Sequence, residues 1–461
     1  MPLLVHFWRT SLVILKIKTM TVLALYCVVQ AVQAVQAQDL LETYQEVEKS
    51  DPRLLIGSLN INIGTAREDQ KFGQLLPQAS LNSSATSTTR RAERFPIDHY
   101  SGQRYLLSVR QTLFDMKKLN AWQQAKFEQE QSIYEFEDIH STVMLDTVER
   151  YFNLLKATDD LALIKEEKAV VIEKKEQISA LFEKKLVKIT ELFEISARLD
   201  MLESDVVEAS RLVELAIADL SELTGKPIQK LSKLTSQHEA VESIGDINEY
   251  LELLKTRNAS LNAWLKSIQA NKKNVKQQKA EHYPVLDLQV SKQQTNIGFE
   301  NSASAVTDTE VISLNLSIPI FSGGTTTARV YEAEQKLKIS EASYDQEYRR
   351  IKKELKDTYL NVESTKQRIV ALETAVKSAE KSYKSLEKSF KFGVSTIAEV
   401  LDAKQFQLQA KQRFQQARYD YIISKARFYF KAGLLTEEIL GNINLRLETE
   451  NILPIKKASQ S

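Results

Sequence analysis

Phe390–Gly433, FKFGVSTIAEVLDAKQFQLQAKQRFQQARYDYIISKARFYFKAG, is the stretch on which the reading of this chain turns, because its pattern recurs without a gap at Phe182–Gly225. The copies stand 208 residues apart (390 against 182) and share Phe182/Phe390, Ile189/Ile397, Glu191/Glu399, Ala209/Ala417, Ala218/Ala426 and Gly225/Gly433. Glu194 and Asp402 add a second acidic pair. Upstream, Asp51/Asn258, Leu54/Leu261, Pro77/Pro284 and Phe114/Phe321 match at an offset of 207 (261 against 54). Six identities alone are weak, but a steady offset from Leu54 to Gly433 predicts an internal two-fold repeat.

Glycine and proline are absent from Gln103 to Thr224, from Thr325 to Phe392 and from Val394 to Ala432. Without breakers, these stretches predict long helices. From Ile351 the positions Ile351, Leu355, Thr358, Val362, Thr365, Ile369, Leu372, Val376, Ala379, Tyr383, Leu386 and Phe390 keep a four-three spacing, a narrow coiled-coil seam. In the first half the helix breaks near Lys185, restarts at Thr190 and stops at Gly225-Lys226-Pro227. Strands are read from alternation: Leu286, Leu288 and Val290 alternate with Asp287 and Gln289, and Ile312, Leu314, Leu316, Ile318 and Ile320 with Ser313, Asn315 and Ser317. Tyr105, Leu107 and Val109 alternate more weakly, and the Ser/Thr/Asn-rich run after Pro77 reads as a further strand leading to a polar loop through Gln103.

Each half thus reads helix, strand, strand, long helix, short loop, helix. The first repeat spans 38–230, with strands near 77–92 and 104–114 and a tip near 183–190. The second spans 247–440, with strands near 284–297 and 310–321 and a tip near 391–397. A linker at 231–246 joins them, and a polar, disordered tail is expected over 441–461. The class is mainly α with a small β part.

Lys+Arg number 62 against 61 Asp+Glu, so charge points neither to nucleic acid nor to an acidic partner. Arg9, Lys16 and Lys18 precede an apolar run from Thr19 to about Val35 and small-residue steps at Ala31, Ala34 and Ala37, which predicts a signal peptide over 1–37. A retained anchor is the alternative, against which the run is short and interrupted by glutamines. The single cysteine, Cys27, lies inside the leader, so a mature chain would have no disulfide. Lipidation of Cys27 is disfavoured by Tyr26, where a small residue is needed.

Four alternating strands per chain pose a closure problem. In lipid every backbone donor must be paired, so strands span a membrane only as a closed barrel, and about eight strands is the small end of the range. If the strands face lipid, several chains must contribute, and three would give twelve strands. Helices of about 65 residues at about 1.5 Å rise would reach about 100 Å, enough to cross a bacterial periplasm. A periplasmic coiled-coil scaffold with a small soluble sheet and no pore is the alternative.

The segments DLLETYQEV, LLPQASL, QTLFD, LSIPIFSGG and FKFGVSTIAEVLDA through ARFYFKAGLL, in this order and spacing, resemble the TolC family of outer-membrane efflux proteins over essentially the whole mature chain. Pro319–Gly324 resembles the family's strand-to-helix junction, and Gly393–Ala403 its tip motif. The resemblance implies a homotrimeric channel-tunnel in the outer membrane: a 12-stranded β-barrel in lipid continuing into a 12-helix periplasmic α-barrel. It also implies service as the passive exit duct of a tripartite efflux or type I secretion system, with a periplasmic adaptor and an inner-membrane transporter as partners.

In a threefold assembly, inward Glu399 and Asp402 would form acidic rings that favour cations and resist tight closure. On spacing alone, both equally suit the dipole of a restarting helix. The resemblance places Glu399 and Asp402 at the family's entrance constriction, and Thr190 and Glu191 at positions that make closing contacts. It also exposes two departures. Phe390 stands where the family's latch has a tyrosine and Ser395 where it has an arginine, so neither that hydrogen bond nor that ion pair can form. The tip turns fall at Gly393 and at Lys185, the latter where a glycine would be expected. Lys184, Lys188 and Lys391 read as solvated or adaptor-facing. No phosphate-binding loop, nucleophile setting or metal spacing among His99, His140, His238 and His282 is recognisable, so no catalytic residue, metal or cofactor is expected.

Overall fold

The computed structural model describes residues 38–91, 97–228, 230–235, 244–298 and 301–454. The leader expected at 1–37, with Cys27, and the end of the tail lie outside them. In order the elements are α1 (Leu40–Ser50), α2 (Pro52–Gly73), β1 (Gln78–Arg90), β2 (Asp98–Phe114), α3 (Met116–Glu183) and α4 (Ile189–Thr224). There follow β3 (Lys230–Leu234), α5 (Ile247–Arg257), α6 (Ala259–Lys279), β4 (Val285–Ile297), β5 (Ala303–Ser317), α7 (Thr325–Lys391), α8 (Ile397–Ala432), α9 (Glu437–Asn444) and β6 (Leu447–Pro454). The order helix, helix, strand, strand, long helix, helix occurs twice.

Local chemistry sets the joints. Asp51 caps α2 by accepting from the Arg53 amide, and Asn258 caps α6 by accepting from the Leu261 amide. Asp115 stops β2 and caps α3 through the Lys117 and Lys118 amides. At the other ends Gly225 (φ 65°) and Gly433 (φ 72°) close α4 and α8 in the left-handed conformation.

The 68-residue α3 and 67-residue α7 are the continuous beams. Their first halves pack with α2 and α6, their second halves with α4 and α8. Four helices therefore stand side by side at every level, in the order α2, α3, α6, α7 above and α4, α3, α8, α7 below. The seam read on α7 faces inward: Ile351, Leu355, Val362, Ile369 and Ala379 are buried, whereas Leu360 and Val370 beside it are exposed. Between the levels lies the main core, where Tyr44, Tyr151, Phe152, Tyr419 and Phe428 are fully buried.

Two readings are corrected in this core. Residues 231–246, taken as linker, begin inside β3, and the tail expected to be disordered after Gly441 contains the end of α9 and β6. These strands pair antiparallel, Leu231 opposite Leu453 and Leu234 opposite Leu447, and Gln38 bridges to Leu231 on the other side. Tyr151 donates to the Ser232 carbonyl at 2.9 Å, which fixes this small sheet to α3. Strand bounds also shift. β2 begins at Asp98, so the expected loop to Gln103 is strand, and β5 runs Ala303–Ser317 instead of 310–321, because Pro319 has no amide to extend the ladder.

At the far end β1, β2, β4 and β5 form one antiparallel sheet in that order. The register puts Ala79, Val109, Val290 and Ile312 in one row, with Leu288 beside Leu314 and Leu286 beside Leu316 further along. That face is apolar and open: Ile312 is 76% exposed, and Leu314 and Leu316 are 62% exposed. On β4 and β5 it ends at Lys292 and Glu310, which pair at 2.8 Å, while Leu81 and Leu107 continue it on β1 and β2 in the same row. The opposite face carries Gln78, Arg110, Gln289 and Ser313 in one row and Ser80, Ser108, Ser291 and Val311 in the next, Ser80 and Ser108 being hydrogen-bonded at 2.9 Å. β1 and β5 are edge strands with one neighbour each among the described residues.

Candidate functional site: the helical hairpin tips

The α3–α4 and α7–α8 hairpins turn at the end remote from the sheet, and their turns have one geometry. After α3, Lys185 takes φ 60°, its amide donates to the Phe182 carbonyl at 2.8 Å, and the Leu186 amide donates to the Leu181 carbonyl at 2.9 Å. After α7, Gly393 takes φ 72°, its amide donates to the Phe390 carbonyl at 2.9 Å, and the Val394 amide to the Ser389 carbonyl at 3.0 Å. The lysine therefore keeps the glycine's turn, in a conformation that costs a residue with a Cβ about 1 kcal/mol. Leu186, Phe392 and Val394 project from the turns, exposed beside Lys184, Lys185, Lys188 and Lys391.

The restarting helices differ. α8 opens with a reciprocal cap: the Glu399 amide donates to Thr396 Oγ1 at 3.3 Å, and the Thr396 amide to Glu399 Oε2 at 2.9 Å. Glu399 is thus committed to its own helix end, where its charge also suits the dipole. α4 opens at Lys188 with no side-chain cap, with Thr190 exposed and Glu191 half-buried in its first turn. The two positions of the absent latch are reused locally. Ser395 Oγ donates to the Leu386 carbonyl at 3.1 Å, tying the turn to α7. Phe390 packs on the apolar cluster of Val171, Ile178, Ile195, Leu202, Ile397, Val400 and Leu401.

Asp402 is 73% exposed at its side chain and does not stand alone. Arg198 of α4 donates to it at 3.0 Å, to Gln405 Oε1 at 2.8 Å and to the Leu401 carbonyl at 3.3 Å, and lies 3.5 Å from Glu167 of α3. Thr396 carries a pattern readable in the sequence, Thr-x-x-Glu, which identifies the cap. Arg198 carries none, because Asp402 and Gln405 stand on another hairpin and Glu167 on another helix. Other polar pairs line the seam where α3 meets α8: Lys156–Asp420 at 3.4 Å, Asp159–Tyr419 at 2.6 Å, Asp160–Gln416 at 3.1 Å and Glu166–Lys404 at 2.9 Å. Burial pushes the Asp160 carboxyl above its ordinary value despite the hydrogen bond from Gln416, and burial with Asp159 pushes the Tyr419 phenol well up.

Among the described residues no group of His, Cys, Asp and Glu has the arrangement of a metal site, and no helix is long and apolar enough to cross a membrane.

Known proteins share this architecture and sequence. Residues 250–434 match the outer membrane efflux protein family. The chain is 26% identical over 424 residues to the outer membrane protein TolC of Salmonella enteritidis, covering 89% of this chain and 85% of that protein. It is 25% identical to the alkaline protease secretion protein AprF of Pseudomonas aeruginosa over 412 residues, 87% of this chain and 85% of that one. The fold superposes on the Campylobacter jejuni CmeC outer membrane channel with a TM-score of 0.76 and 16% identity, covering 90% of each chain. The doubled order of elements, the open sheet, the hairpin pair and these similarities together make the chain similar to the outer membrane efflux proteins of the TolC type.

Proposed function

We propose that this protein is the outer-membrane exit duct of a tripartite efflux or type I secretion system. Three copies close a 12-stranded barrel in lipid and a 12-helix barrel in the periplasm, and the two halves of each chain are copies of one unit. The observation that carries this reading is the four-stranded sheet with two unpaired edges, one open apolar face and one polar face. Left in water, such a face forfeits about 25 cal/mol per Å² and offers its edges for aggregation. Joining β1 of one copy to β5 of the next removes the edges, turns the apolar face to lipid and leaves the Ser, Asn, Gln and Arg face around a wet lumen.

Transport is passive; an inner-membrane transporter supplies the work and a periplasmic adaptor engages the tips. The six hairpins of a trimer ring the periplasmic mouth, with Glu399 and Asp402 as aperture carboxylates and Thr190, Glu191, Phe390 and Ser395 around them. Gly393 and Lys185 set the turns. The cargo is a small molecule or a protein.

Purified protein reconstituted in a planar bilayer tests the duct. Discrete, cation-preferring conductance is expected. A correctly folded trimer that stays silent would overturn it in favour of a periplasmic scaffold.

A further inference from the structure

Arg198 is the side chain through which α4 of the first hairpin reaches α8 of the second. α4 and α8 touch only sparsely along their lengths. Yet the Arg198 guanidinium, 22% exposed, spends its donors on one turn of α8: Asp402, the Leu401 carbonyl and Gln405. On the other side it is steadied by Glu167, whose side chain is 14% exposed. A planar fork with five donors can serve three oxygens on neighbouring positions at once, whereas an ammonium of the same charge acts from one point.

The same contact sets the charge at the mouth. Of the two carboxylates assigned to the aperture, Glu399 is held in the cap of α8 and Asp402 is paired at 3.0 Å with Arg198. We propose that Arg198 is a positioning residue with two linked effects: it ties α4 to α8 at the tip, and it limits the negative charge that Asp402 presents to passing ions. The second effect rests on the reading of Asp402 as an aperture residue; the first does not. Removing the arginine therefore loosens the tip and makes the mouth more anionic. Removing Asp402 also loosens the tip but makes the mouth less anionic. A purely structural contact would give both variants the same electrical signature.

The experiment compares Arg198→Gln, Arg198→Lys, Asp402→Asn and the double variant Arg198→Gln/Asp402→Asn in the full-length trimer. Block of the bilayer current by La³⁺ and hydrogen exchange of the first turns of α4 and α8 are both measured. Arg198→Gln is expected to tighten La³⁺ block by at least about fivefold, the effect in water of relieving one unit-charge repulsion at about 4 Å and hence a lower bound for a trivalent ion. Arg198→Lys is expected to leave block near that of the unmodified protein while raising exchange at both helix starts, since charge is kept and the fork is lost. Asp402→Asn should weaken block, and in its background Arg198→Gln should no longer tighten it. Block that tightens equally without Asp402, or exchange unchanged in Arg198→Gln, overturns the proposal. If the unmodified trimer carries no current, the duct reading fails, and the exchange data still judge the tie between α4 and α8.

Discussion

The two hairpin tips have one backbone and two chemistries. Lys185 and Gly393 adopt nearly the same left-handed φ, 60° and 72°, and receive the same pair of turn hydrogen bonds. Only the second hairpin has residues suited to that geometry: a glycine at the left-handed position and a Thr396–Glu399 cap on the helix that follows. The first has a lysine in the strained position and an uncapped α4. Turn geometry here is imposed by the two helices the turn must join, with local preference only adjusting its cost. The first tip is consequently the less stable turn, and Arg198 ties its helix α4 to α8 of the better-formed second tip.

The upper ends of the same hairpins differ in the opposite sense. A Cβ on Gly433 would lie 2.7 Å from the backbone of Arg257 and Asn258, whereas one on Gly225 would meet only Ser50 at 3.8 Å. The strongest way to break the equivalence of the halves is therefore Gly433→Ala against Gly225→Ala. The first combines a positive φ with a backbone clash and should cost about 3 kcal/mol or more, the second about 1 kcal/mol, read from thermal unfolding of the purified protein. Equal losses would show that α5 and α6 move aside freely.

At the tips the changes are smaller and run in both directions. Lys188→Thr gives α4 the Thr-x-x-Glu pattern of α8 and should stabilise its first turn by about 1 kcal/mol, seen as slower hydrogen exchange at 189–192. Gly393→Ala should destabilise the second turn by about 1 kcal/mol, while Lys185→Gly should relieve the first by about 0.5 kcal/mol after the entropy glycine adds to the unfolded chain. If Lys185→Gly destabilises, lysine is held there by contacts worth more than its backbone strain.

The smallest effect concerns the seam between the halves. The folded-state pKa of Asp160 is raised, so its stabilising contribution is complete below the ordinary carboxylate value of about 3.9 and is lost as pH rises through the raised value. At neutral pH the buried charge is a cost, and Asp160→Asn, which keeps an oxygen for Gln416, should raise stability by roughly 0.5 kcal/mol after solvent screening. That gain should vanish as pH falls to about 4. A gain that persists there would mean the charge is not its source.

Much of the fold is legible along the chain because the signals are periodic. The alternation at Leu286–Val290 and Ile312–Leu316 lies on β4 and β5, and the four-three seam of α7 is its buried stripe. The β3–β6 pair was not legible: KLSKL is five residues long and its partner lies more than two hundred residues away. The start of β2 at Asp98 was hidden for a related reason, since polar residues join a strand when an adjacent ladder offers them partners. At the tip, the sequence pointed to Glu399 and Asp402 but not to what holds them. Arg198 stands one turn beyond Glu194 in α4, which suggests a local pair, yet its guanidinium reaches Asp402 on the other hairpin.

By itself the sequence determined the two-faced strands, the lengths of the helices and where they break, because these depend on spacing along one chain. Tertiary structure alone decided which helix stands beside which, that Lys185 bends like a glycine, and that Arg198 of α4 meets Asp402 of α8. Those outcomes depend on which atoms meet across helices distant in sequence, where packing and long-range register outweigh the preferences of any single residue.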